Sequence, residues 1–275
     1  MTAPRYRIAV CLFGQYRTGD YCLPWIVKQY DFAETRFYAH TKAYAGYPNL
    51  EGHRGLGTKP SHDADHIRGA CERYGVDLVD VVETVDDDPF SVPGGWHYAS
   101  LFGSLQASVY HALARFRETD WWPDLIAVQR FDMLLGPQVT SFGQALAITG
   151  HQPDTLYVLN RSMRFNKEAR QFGIHDVLLL GSPYTINTLV AETFSATQEV
   201  TRRGWQIHHF EGPNVFLRRM VDRCGLHVDQ IPLAFALVRP DADLERDVFA
   251  SDTFAYHVKH WTSSHVGLRL KEGRT

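Results

Sequence analysis

An amphipathic segment that leads directly into an apolar run constrains the fold of this chain more than any other feature. From Tyr98 to Phe116 apolar residues recur at steps of three and four, which indicates a helix with one buried face. Pro123 discourages its continuation, and DLIAVQRFDMLLG, Asp124 to Gly136, then opens with a run typical of a buried strand. A helix that delivers the chain into such a strand is the unit from which parallel sheets are built.

The same alternation of strands and helices recurs along the chain. Further apolar, β-branched runs predict strands at 6–14, 35–40, 76–83, 154–160 and 175–183. Two more helices are predicted at about 185–203 and 213–223, the second ending before Gly225 in the manner of a glycine C-cap. No repeat or linker divides the chain, so we expect one domain over residues 1–275, an α/β fold with three α/β/α layers and a mostly parallel central sheet.

Composition excludes several classes of protein. Apolar residues make up 44% and charged residues 21% of the chain, and the net charge of -3 gives no general attraction to nucleic acid or anionic membranes. The four cysteines form no CxxC pair, which argues against a thiolate zinc site and a disulfide scaffold. No secretory signal and no apolar stretch of about 18 residues is present. We therefore expect a cytoplasmic protein without a membrane span.

Charged or polar residues follow two of the predicted strands. Gly14, Gln15 and Arg17 follow the first strand, and Arg130 and Asp132 lie where a later strand ends. Because ligands bind outside the carboxyl ends of strands in open α/β sheets, both segments are expected to face one crevice. There Arg17 suits a phosphate and Asp132 suits Mg²⁺ or Mn²⁺. The alternatives are a structural ion pair between Arg130 and Asp132, or a turn capped by Asp132.

Four segments occur together in an informative order. IAVCLFGQYRT, RFYAHTK, DLIAVQRFDMLLG and HDVLLLGSP resemble a set of glycosyltransferase-like proteins with the GT-A fold, found in bacteria, phages and large viruses. In that family G-Q-x-R ends the first strand, and R-F-D or R-x-D takes the place of a D-x-D signature. The resemblance covers about the first two thirds of the chain. It implies a GT-A-like, Rossmann-related fold in which Gly14, Gln15, Arg17 and Arg130 lie at the donor site and Asp132 meets the metal and the sugar nucleotide.

The carboxy-terminal segment FAYHVKHWTSSH carries a looser resemblance. Some retaining GT-A enzymes end in H-x-x-G-x-x-K-P-W, although here the spacing is compressed and the glycine and proline are missing. The resemblance implies that His257, in preference to His260, ligates the metal and that Lys259 contacts the diphosphate. A site with imidazole and carboxylate ligands favours Mn²⁺ over Mg²⁺.

Three other segments each permit two interpretations, and a fourth permits one. Asp176 precedes an apolar strand, where it would act as general base or contact the donor sugar, or else bond a loop amide. Glu211 belongs either to an acceptor pocket or to the lead-in of a helix that begins at Pro213. The His62–His66 segment, HDADH, has a metal-like composition but is expected to be solvated in a polar loop. Asp86–Asp88 is expected to form a surface turn.

These observations predict an enzyme that transfers a sugar from a nucleoside diphosphate sugar to a hydroxyl acceptor, either a glycan or a modified DNA base. Asp176 and Glu211 are the candidate catalytic residues, and Mn²⁺ or Mg²⁺ is the expected cofactor. The segment from Thr41 to Pro60 is expected to close over the donor, with Tyr38, Trp96 and Tyr98 offering flat faces to a base or sugar. Two alternatives are a nucleotidyltransferase-type enzyme and a non-catalytic nucleotide-sugar-binding domain, which the arginine in place of the first D-x-D aspartate makes credible.

Overall fold

The structure is a computed structural model, and it describes residues 6–44, 62–84, 86–90, 99–135, 143, 152–159, 163–166, 171–174, 176–202, 213–231 and 235–237. The strands of this part of the chain are β1 (Arg7–Gln15), β2 (Glu34–Lys42), β3 (Val76–Val82), β4 (Leu125–Arg130), β5 (Met133–Leu135), β6 (Thr155–Val158), β7 (Met163–Asn166), β8 (Gln171–Gly173), β9 (Leu178–Gly181), β10 (His227–Gln230) and β11 (Phe235–Leu237). The helices are α1 (Gly19–Gln29), α2 (Ala64–Arg73), α3 (Ala99–Thr119), α4 (Pro183–Arg202) and α5 (Pro213–Arg223).

Seven of these strands form one sheet in the order β10-β6-β9-β4-β1-β2-β3. Every neighbouring pair is parallel except those that β9 makes with β4 and β6, so the predicted mostly parallel sheet is confirmed. From β1 the chain continues to β2 on one side, whereas β4 joins the other side of β1. The gap between the carboxyl ends of β1 and β4 is thus a topological switch point, the place where open α/β sheets form a ligand crevice.

Helices cover both faces of the sheet. Alternate residues of β1 point to opposite faces, so Ile8, Val10 and Leu12 join the core formed with α1 and α2. Ala9, Cys11 and Phe13 join the second core, formed with α3, α4 and α5. Burial on both faces explains why β1 is a continuous apolar run rather than an alternating one. The fold is therefore mixed α/β with helices on either side of a central sheet.

The stretch DLIAVQRFDMLLG is not one strand. β4 ends at Arg130, Phe131 and Asp132 form a turn, and the following residues belong to β5. β5 pairs with β11 in a separate two-stranded sheet rather than continuing in the main one. The charged segment thus lies where the chain leaves the central sheet.

The prediction of a surface turn at 86–88 is wrong for one residue. Asp86 and Asp87 are exposed, but Asp88 is 3% exposed. It is buried because the Lys42 ammonium lies 2.8 Å from its Oδ2, and a buried carboxylate needs such a partner.

None of the helices that the structure describes is both long and apolar enough to cross a membrane.

Candidate functional site

The segments that follow β1 and β4 lie side by side at the carboxyl edge of the sheet. In the parallel pairing of these strands Phe13 lies opposite Arg130. The Phe131 N–H donates to the Phe13 carbonyl at 3.4 Å, and the Tyr16 and Phe131 rings pack with their centroids 5.5 Å apart. Residues 14–17 and 130–132 are thus brought together at the switch point.

Gly14, near the end of β1, has a φ of +95°, a value that L-residues with a side chain rarely adopt. Its N–H donates to the Ser104 hydroxyl at 3.1 Å, and its carbonyl accepts from the Thr41 hydroxyl at 2.8 Å. The Tyr16 N–H donates to the Lys42 carbonyl at 3.1 Å. Because these two N–H groups bond within the protein, they are not open to a phosphate. The side chain of Arg17 is therefore the better candidate to bind one.

Arg17 has a positive φ of 24° although it is not glycine. Residues held in sparsely populated backbone conformations cluster at functional sites. The Arg17 Nε donates to the Gln15 side-chain oxygen, and the Arg17 carbonyl lies 2.9 Å from the His62 Nε2. The turn therefore holds a partly buried guanidinium in a defined position beside the switch point.

Arg130 joins two buried carboxylates. Its Nε and Nη2 donate to the two oxygens of Asp132, each at 2.8 Å, and its Nη1 lies 3.4 Å from the Asp176 Oδ2. Asp132 is 2% exposed and Asp176 4%, whereas the Arg130 side chain is 17% exposed. The parallel N–H donors of a guanidinium fit a carboxylate in this two-pronged geometry. The structural ion pair between Arg130 and Asp132, one of the alternatives that the sequence left open, is thus present, and Arg130 also pairs with Asp176.

The direction of β9 explains how Asp176 reaches this group. Asp176 precedes β9, and because β9 runs against β4, its start lies at the edge where β4 ends. The Arg130 N–H donates to the Val177 carbonyl at 3.1 Å, which ties the two segments together. Asp176 and Asp132 therefore share one guanidinium although they are far apart in sequence.

Asn214, in the first turn of α5, supports Asp176 from the other side. With its amide oriented to satisfy its hydrogen bonds, the Asn214 side-chain nitrogen donates to the Asp176 Oδ1 and to the Ile174 carbonyl, both at 3.1 Å. The Ile174 N–H donates in turn to the Asn214 carbonyl at 2.9 Å. Sequence reasoning missed Asn214, because nothing local pairs an asparagine with a carboxylate on another element.

His40 lies close to Gly14, because both contact the Ser104 hydroxyl, and it is neutral at pH 7. Its Nδ1 is 3.0 Å from the Ser104 hydroxyl, which itself donates to the His40 carbonyl at 2.9 Å. Since that hydroxyl has only one proton, the Nδ1 must be the donor. Burial, assisted by the charge of Lys42, lowers the pKa of His40 to about 4.

Lys42 ends β2 at the same edge and is 2% exposed. Its ammonium donates to the Asp88 Oδ2 at 2.8 Å and to the Ser100 carbonyl at 2.7 Å, and the Tyr44 hydroxyl donates to the same Asp88 oxygen at 2.6 Å. Burial alone would raise the pKa of Asp88, but the ammonium of Lys42 and the neighbouring hydroxyls lower it overall. Burial lowers the pKa of Lys42, and Asp88 opposes that shift. Each group thus opposes the shift that burial alone would give the pKa of the other.

Several predicted contacts take a different form or fall outside the described residues. Tyr38 is 2% exposed and packs edge-on against His111 and Phe116, so the prediction that its face contacts a base or sugar is wrong. The positions outside the described residues are Glu211, Trp96, Tyr98, His257, Lys259, His260 and most of the Thr41–Pro60 segment.

Comparisons of the sequence with protein families and with curated proteins give no match. The chain matches no protein-family model, and no curated protein is similar to it in sequence. The features that bear on function are therefore the geometry of the switch point and the motifs that lie there.

Proposed function

We propose that this protein is a glycosyltransferase of GT-A-like fold that transfers a sugar from a nucleoside diphosphate sugar to a hydroxyl acceptor. The observation that carries the proposal is the meeting, at one topological switch point, of the Arg17 turn after β1 with the Arg130–Asp132 pair after β4. A crevice at this position is the usual ligand site of an open α/β sheet. The motif order described above adds the substrate class.

Arg17 and the carboxylates suit different parts of the reaction. The acceptor oxygen forms a bond to the anomeric carbon while the bond from that carbon to the diphosphate breaks. Negative charge then develops on the diphosphate, where the Arg17 guanidinium would stabilise it. The acceptor hydroxyl loses a proton, and Asp176, positioned by Arg130 and Asn214, is our candidate to accept it. Glu211 is the second candidate base, proposed from the sequence.

A divalent cation fits the charge of this group. One guanidinium and two carboxylates, +1 - 2, give Arg130, Asp132 and Asp176 a formal charge of -1. Mg²⁺ and Mn²⁺ favour carboxylate oxygens, and a carboxylate that accepts from a guanidinium can also ligate a cation. Asp132 would hold the ion, with His257 as the further ligand proposed from the sequence and Lys259 as the proposed contact to the diphosphate. When bound, the cation would neutralise charge on the leaving diphosphate.

Donor binding tests the proposal directly. A thermal-shift and calorimetry panel of UDP-, GDP-, CDP- and TDP-sugars, with and without MnCl₂, should identify one nucleotide class that binds. Arg17→Ala should weaken that binding at least about tenfold, because a charge-assisted contact to phosphate is lost. Arg7→Ala is the matched control, since Arg7 is the first residue of β1, at the other end of that strand from Arg17. Equal binding by the two variants, or no binding by any member of the panel, would contradict the proposal.

One observation favours a second candidate, a non-catalytic nucleotide-sugar-binding domain. Arg130 bonds both oxygens of Asp132, a geometry that holds the carboxylate in place without a metal. Such a domain would bind the nucleotide sugar equally well in EDTA and would release no nucleoside diphosphate in the presence of glycan or hydroxymethylated DNA acceptors. Metal-dependent release of nucleoside diphosphate distinguishes the transferase, and release of pyrophosphate would instead indicate a nucleotidyltransferase.

A further inference from the structure

Asp20, His62 and His66 form a compact group near the Arg17 turn. One ligand atom from each lies within 4.8 Å of the other two. Asp20 is in the first turn of α1 and His66 in the first turn of α2, while His62 lies two positions before the start of α2. The His66 Nε2 is 2.8 Å and the His62 Nδ1 is 3.7 Å from the same oxygen of Asp20. The group therefore joins the beginnings of two helices.

The protein fixes which nitrogen of His62 faces the group. Its Nε2 lies 2.9 Å from the Arg17 carbonyl, and because a carbonyl only accepts hydrogen bonds, this nitrogen carries the proton. In the neutral ring the lone pair is then on Nδ1, the atom directed at Asp20. Metal-ligating histidines have this arrangement, in which the second ring nitrogen donates to a backbone carbonyl or carboxylate.

The carboxylate of Asp20 is held in place as well. The buried Tyr16 hydroxyl donates to its Oδ1 at 2.9 Å, which leaves Oδ2 as the oxygen that faces His62. The two imidazole rings lie nearly parallel, at 14°, with their centroids 5.5 Å apart. Their side chains are 24% and 52% exposed, and that of Asp20 is 46% exposed. Water can therefore reach the group and supply further ligands.

We propose that Asp20, His62 and His66 form a binding site for a divalent transition metal ion, with Zn²⁺ as the best match. Ligand atoms on a tetrahedral zinc ion lie roughly 3.3 Å apart, given bonds of about 2.0–2.1 Å, and the 2.8 and 3.7 Å separations lie on either side of that value. Two imidazoles select zinc, nickel or copper over magnesium and calcium. Three protein ligands with solvent access are the arrangement of open rather than closed zinc sites.

This site is separate from the switch-point carboxylates and does not depend on the proposed function. A metal ion here would connect the first turn of α1 to the first turn of α2. Zinc binding should therefore raise the melting temperature of the protein as well as produce heat in calorimetry.

The test is calorimetric titration of the full chain, stripped of metal with EDTA and dialysed, with ZnCl₂ and separately with MgCl₂. We expect one zinc ion per chain and no detectable magnesium binding at this site. His66→Gln and Asp20→Asn should each weaken zinc binding by at least about tenfold, and Tyr16→Phe, which removes only the bond that orients Asp20, by about 10- to 100-fold. His227→Gln is the control, because His227 is an exposed histidine in β10.

Two readouts keep the test decisive. Co²⁺ should give visible absorption bands with the wild type that are absent with His66→Gln, while circular dichroism confirms that each variant is folded. Asp132→Asn should bind zinc as the wild type does, which separates this site from the switch point. Zinc binding that is unchanged in both His66→Gln and Asp20→Asn, or no zinc binding by the wild type, would overturn the proposal.

Discussion

Arg130 donates to both carboxylate oxygens of Asp132, each at 2.8 Å, although the two residues are only two positions apart. The β4 strand ends at Arg130, and the turn through Phe131 brings Asp132 back toward the guanidinium. The same guanidinium reaches Asp176 at 3.4 Å. The opposite charges at the end of this apolar strand thus compensate each other where both are largely buried.

Arg130→Ala should destabilise the protein by about 3–5 kcal/mol, because it leaves two buried carboxylates without their cation. Arg130→Lys should recover part of that loss, since lysine keeps the charge but lacks the two-pronged geometry. Urea unfolding at pH 7 measures both. Arg218→Lys, in an exposed pair with Asp222, is the control and should change stability by less than about 0.5 kcal/mol. Equal small effects of the alanine and lysine substitutions would contradict the buried role of Arg130.

The buried His40 should make stability depend on pH below neutrality. Its folded-state pKa of about 4 lies below the ordinary value of 6.5, so the unfolded chain takes up a proton that the folded protein excludes. No stability difference arises above pH 6.5. As the pH falls from 6.5 to 4, the protein should lose about 3 kcal/mol through this group.

His40→Asn provides the comparison, because asparagine offers an N–H donor but does not titrate in this range. The free energy of unfolding should fall less steeply between pH 6.5 and 4 in this variant than in the wild type. His227→Gln, at an exposed histidine, should keep the wild-type slope. Parallel pH profiles for the wild type and His40→Asn would show that the His40 imidazole takes up protons normally in the folded state.

The Lys42–Asp88 pair allows a double-mutant test. Lys42→Met should cost about 3–5 kcal/mol, since it removes the ammonium that compensates the Asp88 carboxylate in a buried position. Adding Asp88→Asn should restore part of the loss, because the uncompensated charge is then removed. Asp86→Asn, on an exposed neighbour, should have little effect. A double variant as unstable as the sum of the two single variants would mean that the residues do not interact.

Two glycines should respond oppositely to alanine, although a Cβ at either position meets no atom within 4 Å. Gly14→Ala should destabilise by about 1 kcal/mol or more, because its φ of +95° strains any residue with a side chain. Gly69→Ala should stabilise by about 0.5–1 kcal/mol, because Gly69 lies inside α2. Chemical denaturation of both variants measures these changes. A shift in the same direction for both would show that backbone conformation does not decide the outcome.

Local pattern predicted much of the central sheet. The apolar runs at β1 to β4 and the periodicity of α3 are local signals, and the segments 6–14 and 35–40 correspond to β1 and β2 with ends shifted by one or two residues. The direction of β9 was not predictable in the same way. The sequence LLLG gives no signal of the direction in which the strand runs. Only its pairing with β4 and β6 makes it antiparallel.

The residues of the candidate site also differ in whether the local sequence could predict them. Arg17 and Arg130 follow strands whose ends could be placed from the sequence. Asp20 and Asp88, in contrast, owe their importance to partners 40 or more positions away: His66 in one case and Lys42 in the other. HDADH is largely exposed, as its composition predicted, although residues 64–66 belong to α2 rather than to a loop. The pairing of His66 with Asp20 and the burial of Asp88 are set by tertiary contacts, which local composition does not show.

The reversed direction of β9 has a consequence for how such a protein can diversify. Asp176 is anchored beside Val177, whose carbonyl accepts from the Arg130 backbone at 3.1 Å, so the carboxylate is fixed by the sheet itself. The connection that arrives at Asp176 lies upstream of this anchor. Insertions upstream of this anchor should leave the spacing of Asp176 and Arg130 unchanged, so the transferase that we propose could acquire new acceptor preferences while these charged residues stay in place.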